Sequence, residues 1–215
     1  MWTRLAALAI AASPAAACTV PVCQVDPDTL ALPRLIDFEG LQAGQGPGHP
    51  LHGVLDLDGA SFGKFFAGQN LSNIGEYDTV VGAAAFPLTL QEAPKPRTKS
   101  LVWVDGNTIL NGFGPQGFPR RKGQGEGALA IHFDLPQPAL AFDIRGGEAG
   151  IATVQFLDAG GSEIARLRLQ GIGEGPVAFQ RGDRAPDIAG VVITNEDPQG
   201  IAIDNVRFGQ PPNLG

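Results

Sequence analysis

Three acidic side chains carry the most specific chemistry in this sequence: Asp37 and Glu39 in the opening "LIDFEG" (35–40), and Asp204 in the closing "GIAIDNVRFG" (200–209). The closing stretch reads as a strand with a fault in it. Ile201 and Ile203 alternate onto one face, Val206 and Phe208 onto the other, so the apolar phase slips by one residue at Asp204–Asn205. Side chains alternate between the faces of a strand, and a β-bulge at the slip returns both apolar pairs to the core. The same bulge angles Asp204 into the sheet. A carboxylate placed there needs a cation or N–H donors, because a buried unpaired charge is costly. If the first and last strands lie side by side, Asp37, Glu39 and Asp204, with backbone carbonyls, form an all-oxygen site suited to Ca²⁺. The alternative reading is local: Asp204 accepts from nearby backbone N–H groups, as Asx residues do in turns.

A second group could hold a sugar ring. Trp103 precedes a glycine-rich tract, 111–127, that carries Phe113 and Phe118, with Asn107, Asn111 and Arg120 beside them. Aromatic faces suit the apolar faces of sugars, and planar polar groups fix orientation. In the competing reading Trp103 is core and the phenylalanines plug a sheet edge. Other candidates are weaker. His49 and His52 sit in a Gly/Pro loop without a third ligand nearby, and His132 with Asp134 lies on the polar face of a strand. There is no G-x-S-x-G elbow and no glycine loop followed by Lys-Ser/Thr. No catalytic residue is assigned.

These residues must be positioned by strands. The stretches "ALAIHFDL", "ALAFDIRG", "VAFQ", "IAGVVITN" and "GIAIDNVRF" are short β-forming runs, and "TVQFLDAGGSEIARLRLQG" is a hairpin turning at 159–162. "LVWVDGNTIL" is a second hairpin, since Asp105–Gly106 is a type I′ turn signal. Strands every 8–14 residues, with turn residues between them and no helical period, predict an all-β, antiparallel, jelly-roll-like sandwich. The 30 glycines and 18 prolines follow from that many turns. The expected domain spans 35–209, after a lead-in at 18–34 and before a disordered tail at 210–215.

The N-terminus reads as an export signal over 1–17: Arg4, an apolar run at 5–12, then Ser13-Pro14 and three alanines. That run is too short to span a bilayer, which takes about 20 residues. Cys18 and Cys23 are the two cysteines, and in an oxidising compartment a local disulfide between them is expected. Anchoring through a lipidated Cys18 is the alternative. The net charge of −7 argues against nucleic-acid and anionic-lipid partners.

The opening "IDFEGL", the closing "GIAIDNVRFG" and the "VQFLDAGG" hairpin together resemble exported bacterial jelly-roll proteins of the PEP-CTERM type. The sequence departs from them at "GQPPNLG", which has no hydrophobic anchor. It is also similar to MAM domains and carbohydrate-binding jelly-roll modules. That resemblance implies a structural Ca²⁺ shared by Glu39 and Asp204, and less directly by Asp37. The expected function is a secreted or periplasmic, non-catalytic binding or adhesion module of the cell envelope, with a glycan as partner. A glycan-active hydrolase or lyase and a structural envelope or matrix protein are the alternatives.

Overall fold

The computed structural model describes residues 20–210. The stretch expected to be an export signal, Cys18 and the last five residues lie outside them, so the expected Cys18–Cys23 pairing and the tail are not described. The chain is all-β. Its first nine strands are short: β1 (Val22–Val25), β2 (Arg34–Ile36), β3 (His49–Leu51), β4 (Leu55–Leu57), β5 (Ala60–Gly63), β6 (Phe65–Phe66), β7 (Asn70–Ile74), β8 (Tyr77–Val81) and β9 (Leu90–Gln91). The hairpin β10 (Lys99–Val104) and β11 (Asn107–Gly112) follows. The second half is longer and more regular: β12 (Leu129–Gln137), β13 (Ala139–Arg145), β14 (Gly150–Leu157), β15 (Glu163–Ile172), β16 (Gly175–Arg181), β17 (Ile188–Asn195) and β18 (Ala202–Phe208). Among the described residues the helical pieces are two short 3₁₀ turns, Pro27–Thr29 and Arg121–Gly123.

Two antiparallel sheets form the sandwich. One runs β1-β16-β13-β18-β11-β10-β3, with β2 also paired to β18; the other runs β15-β14-β17-β12-β5-β4. The main core lies between them. Leu110, Phe142, Phe179 and Ile203 from the first sheet meet Phe62, Ile131, Val154 and Phe156 from the second. A satellite core of Phe66, Leu88, Ala130, Leu157 and Val192 covers the other face of the second sheet. This double covering explains why β17 reads "IAGVVIT" without alternation, as strands buried on both faces do. It also explains Gly190, where an added Cβ would come within 2.6 Å of the Phe66 ring. His132, expected on a solvated face, packs instead edge-on to Phe66 with ring centroids 6.2 Å apart.

The predicted hairpins and the bulge are present. Asp105 and Gly106 both have positive φ, 50° and 87°, as a type I′ turn requires. Between β13 and β18 the register moves from Ala141↔Arg207 to Asp143↔Asp204. Two residues of β18, Asn205 and Val206, therefore stand against one of β13, and Asn205 has φ 49°. Ile201, Ile203, Val206 and Phe208 all reach the main core. The strand that opens the expected domain, β2, does lie beside the last strand, β18, with Ile36 opposite Val206 and Arg34 opposite Phe208. The sandwich also starts earlier than Leu35. β1 pairs with β16 over Val22↔Arg181 to Val25↔Ala178, and Val22 is buried in the main core.

Candidate functional site

The three expected calcium ligands do not meet. Among the described residues no group of three or more His, Cys, Asp or Glu side chains is placed to hold a metal ion. The reason lies in how β2 leaves the sheet. After Ile36 the chain turns inward, and Phe38 takes φ 58° with its ring buried edge-on to Phe62 at 5.2 Å. Asp37 then accepts from the Glu39 backbone N–H at 3.1 Å, an Asx turn rather than a ligand position. Glu39 reaches sideways to β11, accepting from the Thr108 backbone N–H at 2.6 Å and its hydroxyl at 3.2 Å. The pairs Leu110↔Ile203 and Asn111↔Ala202 would carry Thr108 opposite Asn205, where the bulge ends the ladder. Glu39 satisfies the buried donor that the bulge leaves without a strand partner.

Asp204 is buried as expected, and a guanidinium occupies the cation's role. The Arg145 Nη2 lies 3.3 Å from Asp204 Oδ2 and 3.7 Å from Asp143 Oδ2. Asp204 Oδ1 accepts from the Asn205 backbone N–H at 2.7 Å, and the Asn205 amide donates to Asp143 at 2.8 Å. Arg207 Nη1 donates to the other Asp143 oxygen at 3.3 Å. Burial raises the Asp204 pKa; the Asn205 and Arg145 hydrogen bonds oppose it, and the Asp143 charge adds to it. The local reading and an arginine together account for this carboxylate. The residues present do not fit Ca²⁺.

The sugar platform is divided. Trp103 is half exposed (51%), so it is not core, yet it shares the phase of core Leu101 and pairs with Thr108. Phe113, fully buried, lies beyond the other end of that hairpin and packs edge-on to Phe118 at 5.3 Å. Arg120 is exposed, and its neighbour Arg121, not Arg120, lines the cleft that Asn107 and Asn111 share. These four side chains do not converge. Asn107 and Asn111 do share a site, a cleft of about 330 Å³ on the outer face of the first sheet.

That cleft is built from alternation. Asn107, Ile109 and Asn111 project from β11 on one face, and Ala202 of β18 is opposite Asn111. One wall is the tract after β11, through Arg121, Gln124 and Gly125; another is Gln199–Ile201 before β18; Val104 and Asp105 at the β10–β11 turn, with Arg145, Gly146 and Glu174, complete the lining. Two walls press together backbone to backbone: the Ile201 N–H donates to the Gly125 carbonyl at 2.9 Å, and a Cβ on Gly200 would approach Gly125 to 2.5 Å. Gly146 N–H donates to Glu174 Oε1 at 3.0 Å. The glycines of 111–127 thus permit close packing. The period-two set Asn107, Ile109 and Asn111 was readable in the sequence. Arg145, Glu174 and Gln199 come from distant loops that no local signal joins.

No family model matches the chain, and no curated protein matches it. Among solved structures it is similar to the CBM22-1 and GH10 modules of Clostridium thermocellum endo-1,4-β-D-xylanase 10B complexed with xylohexaose. The TM-score is 0.33 at 9% identity, over 55% of this chain and 25% of that one. A likeness of that extent carries no argument about ligand or activity. Among the described residues, no helix is long and apolar enough to cross a membrane.

Proposed function

We propose that this chain is an exported, non-catalytic binding module whose outer-face cleft takes a short stretch of neutral glycan. The observation that carries the reading is the composition of the cleft. The amides of Asn107, Gln124 and Gln199 line it with the apolar Ile109, while the buried Asn111 amide is held by Ser100. The charged lining is balanced, with Arg121 and Arg145 against Asp105 and Glu174. Planar amides beside an apolar patch suit hydroxyls carried on an apolar ring. Balanced charge gives no preference for an acidic polymer. About 330 Å³ is near the small end of ligand sites, roughly 300–1,000 Å³, which fits a few rings and not a folded partner.

The test is a glycan array with the full mature chain, followed by titration of any ligand found. Ile109→Trp, at a partly exposed lining position, fills the cleft and should lower affinity at least tenfold while the chain stays folded, checked by its thermal transition. Silence across neutral and acidic glycans overturns the proposal. Two carboxylates, Asp105 and Glu174, line the same cleft, and this favours a second reading, hydrolysis of the glycan. Release of reducing ends, lost in Glu174→Gln, would replace binding by catalysis.

A further inference from the structure

Away from the cleft, the chain buries a lysine against an aspartate where neither has access to water. Lys64 Nζ lies 3.0 Å from Asp78 Oδ2, and both side chains have zero exposure. We propose that Lys64 and Asp78 become joined by an intramolecular amide bond, a covalent staple between the residue after β5 and the strand β8.

The geometry holds the two groups together from several sides. Lys64 Nζ also donates to the Phe113 carbonyl at 3.0 Å, which fixes the end of its long side chain. A Cβ on Gly127 would approach that nitrogen to 2.4 Å, so the glycine leaves space that the amine fills. The Ala128 N–H donates to Asp78 Oδ2 at 3.1 Å. Asp78 Oδ1 is buried without a hydrogen-bond partner among the described residues, and faces the Arg97 guanidinium at 3.5 Å. Arg97 is the partly exposed member of the group, with its side chain at 25%. A second ion pair, Lys99 with Glu92, adjoins the first.

The condensation balances without a co-reactant. A proton passes from the Lys64 ammonium to the Asp78 carboxylate, leaving an amine and an acid. The amine lone pair attacks Asp78 Cγ while the Ala128 N–H supports the charge that develops on Oδ2. The nitrogen gives up a second proton, the Cγ–Oδ1 bond breaks, and one water departs on the side of Arg97. Three effects favour the step. Burial pushes the Lys64 pKa down towards the neutral amine, and the Lys99 charge adds to this against the pull of Asp78. Two reactants held at contact react as if at very high concentration. Burying an ion pair costs desolvation of both charges, and the amide removes both.

The experiment is peptide mapping of the full chain by mass spectrometry. Cleavage after glutamate cuts at Glu39, Glu76 and Glu92, which places Lys64 on 40–76 and Asp78 on 77–92. The expected result is that these two peptides remain joined, at their summed mass less one water. Lys64→Arg keeps the charge but cannot form the bond, and should release both peptides at full mass. Two separate peptides from the unsubstituted chain overturn the proposal. So does loss of water confined to 77–92, which marks a cyclic imide at Asp78. If Lys64→Arg does not fold, the unsubstituted map alone still decides.

Discussion

Asp204 shows how one carboxylate's environment decides its role. It is buried, and the charge beside it is Arg145, which also contacts Asp143. Removing the guanidinium would leave two partly or fully buried carboxylates facing each other. Arg145→Met should therefore destabilise by about 2–4 kcal/mol, since breaking a buried pair strands a charge, and the loss should shrink in acid as Asp204, whose pKa burial raises, takes up a proton. Because an arginine holds the position expected for a metal, millimolar Ca²⁺ and chelator should give the same thermal midpoint. A rise with Ca²⁺ that Asp204→Ala abolishes would show that the metal reading was right. Glu39 has a different task. Glu39→Ala leaves the Thr108 N–H, buried where the ladder ends, without its acceptor. An unmet buried donor costs about 1–3 kcal/mol, and chemical denaturation would measure it.

At the scale of elements, the clearest signals were those in which one local rule acts alone. The slipped phase of 201–208 located the bulge, and Asp105–Gly106 located the β10–β11 turn. The tract after β11 misleads because glycine has two uses: it loosens a chain, and it lets backbones approach. Here Gly125 and Gly200 do the second, and only the fold shows which. Trp103 was equally opaque, since its exposure depends on where β10 ends relative to the opposite sheet. The same tract carries a pH device. Glu126 is almost fully buried, its Oε2 has no hydrogen-bond partner among the described residues, and its carboxyl rises from 4.5 to about 7. Burial is the largest cause, followed by the Glu76 charge, with Lys122 opposing. Between pH 4.5 and about 7 the folded chain keeps a proton that the unfolded chain has lost, so stability falls as pH rises through that window. Glu126→Gln stays neutral throughout. It should gain about 3 kcal/mol over the parent above the window and nothing below it. Thermal midpoints measured across pH would show equal gains at both ends if Glu126 does not titrate this way.

For the whole molecule, the decisive feature is that pairing joins sequence-distant strands: β1 to β16, and β2 to β18. Such a topology must close long loops before its contacts form, so refolding should be slow, on the order of milliseconds to seconds. It also moves the start of the domain. The polar, proline-containing stretch at 24–34 resembles a lead-in, because a strand of four residues ahead of two prolines is too short to announce itself. Yet Val22 is 1% exposed and packs in the main core, and β1 covers the free edge of β16. If β1 were an appendage, trimming Val22 would cost nothing. As part of the sandwich, Val22→Ala should cost about 1–2 kcal/mol from lost burial and the cavity left behind. For a chain of this size that lowers Tm by roughly 2–8 °C. The transition should remain single, because β1 shares its core with β16 and β13. A midpoint unchanged by Val22→Ala, or a separate early transition for this segment in the parent protein, would return the boundary to Leu35.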